Sequence, residues 1–262
     1  MKQRWITFDL DGTLMQNPFG KWVFPEVAAA VSGKLGMAYD AISALIAEHE
    51  RRMSEGRYVE AYDWDEMLER LCEKLGIEKP VDVEDVVHEH NFPPKVYLLE
   101  PDIPLVLQRL RACGYSLAAV TNGFFKYQAP VMRTLGLERC FDEVITPEMA
   151  GTGKPDPAIL RLLPGEVVAH VGDRLDHDVQ LANAAGIHSV FVDRTMPERL
   201  CSLPPHVRAK DQEMLQLCLA KWKKESRMND NVEMELPRQL TPDAVICSMQ
   251  ELVALAKEWK EG

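Results

Sequence analysis

Two aspartates one residue apart, Asp9 and Asp11 in Phe8-Asp9-Leu10-Asp11-Gly12-Thr13-Leu14, follow directly on an apolar run. Carboxylates so close repel unless a cation lies between them or one keeps a proton. Either outcome is chemically useful: one carboxylate can bind metal and attack while its neighbour donates a proton. The plain alternative is a polar turn ending a strand, since short motifs recur without function. Three further elements strengthen the chemical reading. Val120-Thr121-Asn122-Gly123 ends another apolar run and offers a hydroxyl, with the Asn122 backbone N–H beside it, to a phosphate oxygen. Taken alone, it is a common turn. Gly153-Lys154-Pro155-Asp156-Pro157 sets a lysine before a proline at a helix entrance, a placed cation where an isolated reading gives an exposed loop lysine. Val171-Gly172-Asp173-Arg174-Leu175-Asp176-His177-Asp178 puts Asp173 at the end of a fourth apolar run, with Asp178 at the start of a helix. Helix capping explains Asp176 or Asp178 equally well, but it does not explain Asp173. A set of hard oxygen ligands suits Mg²⁺ better than zinc.

These residues need a scaffold that brings strand ends together. Ile6–Leu10, Ser116–Val120, Val167–Val171 and Ser189–Val192 read as buried strands, rich in aliphatic and β-branched residues. Amphipathic stretches separate them: Ile103–Ala112, Lys126–Leu135, Asp156–Leu163 and Asp178–Ala185, three of them followed by Gly114, Gly136 or Gly186. Strands alternating with helices imply a Rossmann-like α/β fold, a parallel sheet flanked by helices. In such sheets ligands bind beyond the carboxyl ends of the strands, where all four motifs fall.

The alternation breaks between about Met15 and Lys95. Glu26–Leu35, Tyr39–Met53, Ala61–Leu75 and Val83–His90 read as consecutive helices without a convincing strand. An insertion of about 80 residues is too long for a crossover and predicts a small all-α domain at 15–95, inserted after the first strand. The core is then 1–14 and 96–262. Within it, 194–241 is an extra insertion: Lys210–Ser226 reads as helix, Met228–Leu240 as a polar flap, dimer contact or excursion, and Asp243–Ile246 as a last short strand.

The net charge of −11 and the lack of a basic stripe or aromatic platform argue against nucleic acid as a partner. No leader and no apolar run long enough to span a membrane are read, and six scattered cysteines without a CxxC pair suit reduced thiols, so a cytoplasmic protein is expected.

In this order and spacing, Asp9-Leu10-Asp11-Gly12-Thr13, Thr121, Lys154-Pro155 and Gly172-Asp173 through Asp178 resemble the motifs of the haloacid dehalogenase superfamily of phosphohydrolases. The resemblance covers 1–193 and resumes at 242–252. It implies that Asp9 attacks phosphorus and binds Mg²⁺. Asp11 would protonate the leaving group and then activate water, its backbone carbonyl joining the metal shell. Thr121, Asn122 and Lys154 would hold the phosphoryl group, Asp173 would bind metal, and Asp178 would stand behind as a nearby carboxylate. The acid at position 11 points to phosphate esters, because the dehalogenase branch lacks one there. The helical insertion resembles the family's cap, which implies a small phosphorylated metabolite as the partner, acted on by a monomer or homodimer. Arg51, Arg52 and Arg57 are cap residues within reach of substrate, though a solvated helix face is the expected place for each. A phosphosugar mutase and a non-catalytic binding protein on the same fold are the competing readings.

Overall fold

The computed structural model describes residues 2–226, 228 and 234–261. Its strands are β1 (Arg4–Phe8), β2 (Met15–Gln16), β3 (Tyr97–Leu98), β4 (Ser116–Val120), β5 (Glu143–Ile145), β6 (Glu166–Gly172), β7 (His188–Val192) and β8 (Ala244–Ile246). Six form one sheet in the order β5-β4-β1-β6-β7-β8, every pair parallel. Side-chain alternation feeds both faces: Ile6 and Phe8 of β1 join Leu117 and Ala119 of β4 on one side, while Trp5, Ala118 and Val120 pack on the other.

The chain runs from β1 outward through β4 and β5, then returns to the opposite side of β1 for β6, β7 and β8. The switch point therefore lies at β1, and the crevice beyond its carboxyl end opens between β4 and β6. Register aligns the motifs there. Phe8 pairs with Ala119 and with Val171, so Asp9, Thr121 and Asp173 emerge side by side. The ladder continues one step past β1, through a hydrogen bond from the Asp9 N–H to the Val171 carbonyl at 2.9 Å.

Between β2 and β3 stand four helices, α1 (Phe24–Leu35), α2 (Ala41–Ser54), α3 (Trp64–Leu75) and α4 (Val83–Glu89). They share their own core of Val27, Val31, Leu45, Met67, Leu68 and Val87. Asp40 and Asp63 cap α2 and α3, accepting from Ser43 and Glu66 backbone N–H groups. β2 and β3 pair antiparallel as the two strands by which the chain leaves the sheet domain and returns. The helical stretch thus opens on a two-residue strand that its sequence did not suggest. On the other side, α5 (Ile103–Ala112) and α6 (Phe125–Thr134) flank β4.

Further elements differ from the pattern read in the sequence. β5, three residues long, was not foreseen. The stretch expected as a regular helix at Asp156–Leu163 is a 3₁₀ helix, Pro157–Leu162, since Pro155 and Pro157 remove backbone donors at its entrance. Asp178 lies in a π-helical turn, Leu175–Val179, that precedes the helix Gln180–Ala185.

In 194–241, the helix Gln212–Glu225 packs Met214 and Cys218 with Leu175, Val179 and Phe191. Buried Arg208 hydrogen-bonds the carbonyls of Leu200 and Val245 and pairs with Glu251, fastening the segment to β8. Of the polar stretch read at 228–240, residues 229–233 lie outside the described ones. Among the described residues no helix is long and apolar enough to cross a membrane, and all six cysteines are free thiols.

Candidate active site

Asp9 leaves β1 nearly buried, 7% exposed, and its Oδ1 accepts a 2.6 Å hydrogen bond from Lys154 Nζ. The same ammonium donates to Asp178 Oδ1, also at 2.6 Å. Lys154 is itself held by Asn122: the Asn122 Oδ1 accepts from the Lys154 backbone N–H at 2.7 Å, and its Nδ2 donates to the Lys154 carbonyl at 3.0 Å. Asn122 therefore acts on the lysine's backbone and fixes where the ammonium stands.

Asp178 is fully committed. Its Oδ1 also faces His170 Nε2 at 3.0 Å, and its Oδ2 accepts from the Arg174 backbone N–H at 2.9 Å. His170 Nδ1 lies 2.8 Å from the Thr7 hydroxyl. With the imidazole proton on Nε2, the ring donates to Asp178, and the Thr7 hydroxyl has one proton for both His170 Nδ1 and the Ala169 carbonyl, 3.0 Å away, so a buried polar chain runs from mid-sheet to Asp9. Gly172 is required here, because a Cβ at that position would collide with the Asp178 carboxylate. Gly12 has φ +81° and sits against Asp173, which explains a glycine directly after the second aspartate.

Asp173 receives the Thr13 hydroxyl at 3.3 Å, and Thr13 also lies 3.4 Å from Asp9 Oδ2. Asp11 turns away from this group: its Oδ2 accepts from Gln128 Nε2 at 2.6 Å, while its buried Oδ1 has no hydrogen-bond partner. Thr121 Oγ1 accepts from the Gly123 N–H at 3.1 Å and lies 3.4 Å from Gln128 Nε2.

Electrostatics divide the acids. Burial pushes Asp9 well above the usual carboxylate range; Lys154 opposes this, and Asp178, Asp173 and Asp11 add to it. Burial together with the Asp178 charge lifts Asp173 to about 6. Burial also raises Asp11, against the Gln128 hydrogen bond. In Asp178 burial is overcome by Lys154 and His170, which hold it far below the ordinary value. Burial disfavours the Lys154 charge, yet Asp178 and Asp9 raise its pKa above that of a free lysine. Burial beside Arg174 brings His177 down to about 4, leaving it neutral at pH 7.

Asp9, Asp173 and Asp178 offer oxygens within 4.8 Å of one another. Asp178 is spent on Lys154, His170 and Arg174, so Asp9 and Asp173 are the two with oxygens to spare. Two raised carboxylates with an all-oxygen donor set fit a hard divalent cation. The group faces a cavity of about 180 Å³ that Tyr62, from the turn before α3, and Arg174 help to wall.

Asp9, Asp11, Thr121, Asn122, Lys154, Asp173 and Asp178, the residues expected at the site, all line this cavity. Three partners were not singled out for the site. His170 is a lone polar residue in an apolar strand, a pattern that demands a buried partner. Gln128 follows Thr121-Asn122-Gly123-Phe124 closely in the sequence, but its contact with Asp11 spans 117 residues and that of Tyr62 with Asn122 spans 60, so neither contact shows locally. Arg52 departs from its expected solvated face: 1% exposed, it pairs with Glu48 and Glu66 inside the helical stretch. Arg51 and Arg57 are exposed and paired with neighbouring glutamates.

A doubly wound parallel sheet with paired acids and a buried lysine at its switch point defines a class of aspartate-centred α/β hydrolases. The sequence profile of the haloacid dehalogenase-like hydrolases matches residues 3–186, and the chain belongs to that family of enzymes. It is 40% identical over 101 residues to a glyceraldehyde 3-phosphate phosphatase of Methanopyrus kandleri, covering 36% of this chain and 43% of that one. The chain thus spans less than half the length of that relative. It is 29% identical to a phosphoglycolate phosphatase of Aliivibrio fischeri, over 70% of this chain and 81% of the relative. A solved structure of a phosphatase of the same family from Thermococcus onnurineus superposes with a TM-score of 0.63 at 25% identity, covering 97% of each chain.

Proposed function

We propose that the protein is a Mg²⁺-dependent phosphomonoesterase that cleaves a small phosphorylated metabolite through an aspartyl-phosphate on Asp9. The observation that carries this reading is the buried Lys154 ammonium joining Asp9 to Asp178 in the wall of a cavity at the sheet edge. An ammonium so fixed orients one Asp9 oxygen and supplies positive charge where an anionic group must arrive.

An Asp9 carboxylate oxygen attacks phosphorus and the ester P–O bond breaks. Asp11 gives its proton to the departing oxygen; its burial favours the protonated form that this step needs. Asp11 then takes a proton from water, whose oxygen attacks the acyl phosphate and frees inorganic phosphate and Asp9. Thr121, with the N–H groups of its turn, and Lys154 hold the transferring oxygens. Asp9, Asp173 and the Asp11 backbone carbonyl would hold Mg²⁺, which would supply charge neutralisation for the meeting of two anions. The helices of 15–95 act as a cap: Tyr62 reaches the cavity from them, and they exclude water during the first step.

The test is phosphate release from a panel of sugar phosphates, nucleoside monophosphates, phosphoglycolate and an aryl phosphate. It is run with Mg²⁺, with chelator, and with Asp9→Asn. Release that needs both the metal and Asp9 is expected. No release from a folded protein, or release that survives in Asp9→Asn, removes the mechanism.

A further inference from the structure

The cavity's charges are already spoken for. Lys154 is shared by Asp9 and Asp178. Arg174 grips Asp176 with two hydrogen bonds, Nε to Oδ1 at 3.0 Å and the second to Oδ2 at 2.8 Å. Glu225 stands 3.5 Å from the same guanidinium, from the helix Gln212–Glu225 that lies beyond the residues matching the family. Two acids thus answer one arginine. What remains on the wall for a leaving group is uncharged. The Tyr62 hydroxyl accepts from Asn122 Nδ2 at 3.4 Å, and its own proton is committed to no group among the described residues. Tyr62 is held edge-on by His49, whose ring stacks on Trp64, so its hydroxyl is fixed rather than searching. A volume of about 180 Å³ lies below the roughly 300–1,000 Å³ typical of pockets for drug-sized ligands. With a phosphoryl group against Asp9, a short chain fills most of what remains of it.

We infer that the leaving group is a short, uncharged, hydroxyl-bearing carbon chain that accepts or shares the Tyr62 proton, and that Asp176 and Glu225 exclude carboxylate-bearing substrates by occupying Arg174. This rests on the phosphomonoesterase reading. A second carboxylate in the cavity would meet the Asp176–Arg174 pair with no spare cation, and like charges in a partly buried site are strongly disfavoured. The hydroxyl has a waiting donor, and sites built to bond a hydroxyl reject analogues that cannot reproduce the bond.

Matched pairs test it: 2-hydroxyethyl phosphate against phosphoglycolate, and glycerol 3-phosphate against 3-phosphoglycerate, with p-nitrophenyl phosphate as reference. The hydroxyl member of each pair should have the higher kcat/KM, by about 100-fold. Asp176→Asn keeps the shape of the Arg174 contact and removes a charge, and should shrink that ratio at least about tenfold; Glu225→Gln, farther from the cavity, should shrink it less. Tyr62→Phe should cost the hydroxyl substrates about tenfold or more and p-nitrophenyl phosphate little. Equal or better turnover of the carboxylates by the unaltered enzyme overturns the inference. So does a ratio that neither acidic variant moves. Absence of release from every compound, the aryl phosphate included, overturns the phosphomonoesterase reading and this inference with it.

Discussion

Two clusters of wholly or partly buried carboxylates in this protein meet cations with opposite results. At the joint between α3 and α6, Asp65 accepts from the Val83 N–H at 2.6 Å, Lys126 Nζ at 2.7 Å and the Tyr127 hydroxyl at 3.0 Å, with Lys79 at 3.5 Å. Burial there is outweighed, and the Asp65 pKa falls below its ordinary value. At the sheet edge, Asp9 and Asp173 share too little positive charge and are pushed up by burial and by each other's neighbours. One cluster has its partners and holds helices against the sheet domain. The other is left short of a cation. Under-compensated acids facing a cavity mark the place where a metal and a reacting group belong, because a purely structural pair has no reason to remain so.

The sharpest way to break the comparison is to take a charge from each cluster. Asp9→Asn should lower turnover by at least about 10³-fold, since in the proposed mechanism no other group replaces Asp9 as nucleophile. The same change relieves repulsion, so the metal-free melting temperature should hold or rise. A fall in both would mean that Asp9 is structural. Lys154→Met should cost stability as well as turnover. It strands Asp178 and Asp9 without their ammonium, at a cost of about 3–5 kcal/mol. That corresponds to a melting temperature lower by about 10 °C in calorimetry. An unchanged transition would show that His170 and the backbone N–H of Arg174 suffice for Asp178. Asp173→Asn is milder: Mg²⁺ affinity, read from metal-dependent thermal stabilisation, should weaken at least about tenfold. Unaltered titration would remove Asp173 from the metal's ligands.

How far the sequence foretold these clusters differs between them. Asp9, Asp11, Thr121 and Asp173 were legible because each follows an apolar run of four or five residues, and parallel strands all end on one edge. The sheet core was legible for the same reason. β5 was not: Glu143-Val144-Ile145 is three residues between Asp142 and Thr146, too short for a period to show. Asp65 gave no sign, since it reads as an acid in the first turn of a helix and its partners Lys126 and Tyr127 lie 61 and 62 residues away. Arg52 was misplaced for a related reason. Its helix neighbours Glu48, Arg51 and Glu55 are all charged, which reads as a wet face, while the contact that buries it comes from Glu66 on the next helix. Local periodicity finds what a strand end presents; it does not find what two helices trap between them.

The joint itself offers the smallest effect and a test of sign. Asp65→Asn keeps the side chain's shape and loses a charge that Lys126, Lys79, Tyr127 and the Val83 N–H all address, so about 1–3 kcal/mol of stability should go at neutral pH. Because the folded pKa of Asp65 lies below its unfolded value, its contribution is complete above the ordinary aspartate pKa of about 3.9 and is lost as pH falls through the folded one. Denaturant melts of the two proteins should therefore stay a fixed distance apart from about pH 5 to 7 and converge in more acid buffer. The acids at the sheet edge run the other way: a raised folded pKa makes Asp173 favour folding at low pH and oppose it as pH rises through about 6. If the Asp65→Asn gap widened on acidification, Asp65 would be another strained carboxylate, and the contrast between a satisfied joint and an unsatisfied site would fail at its simpler end.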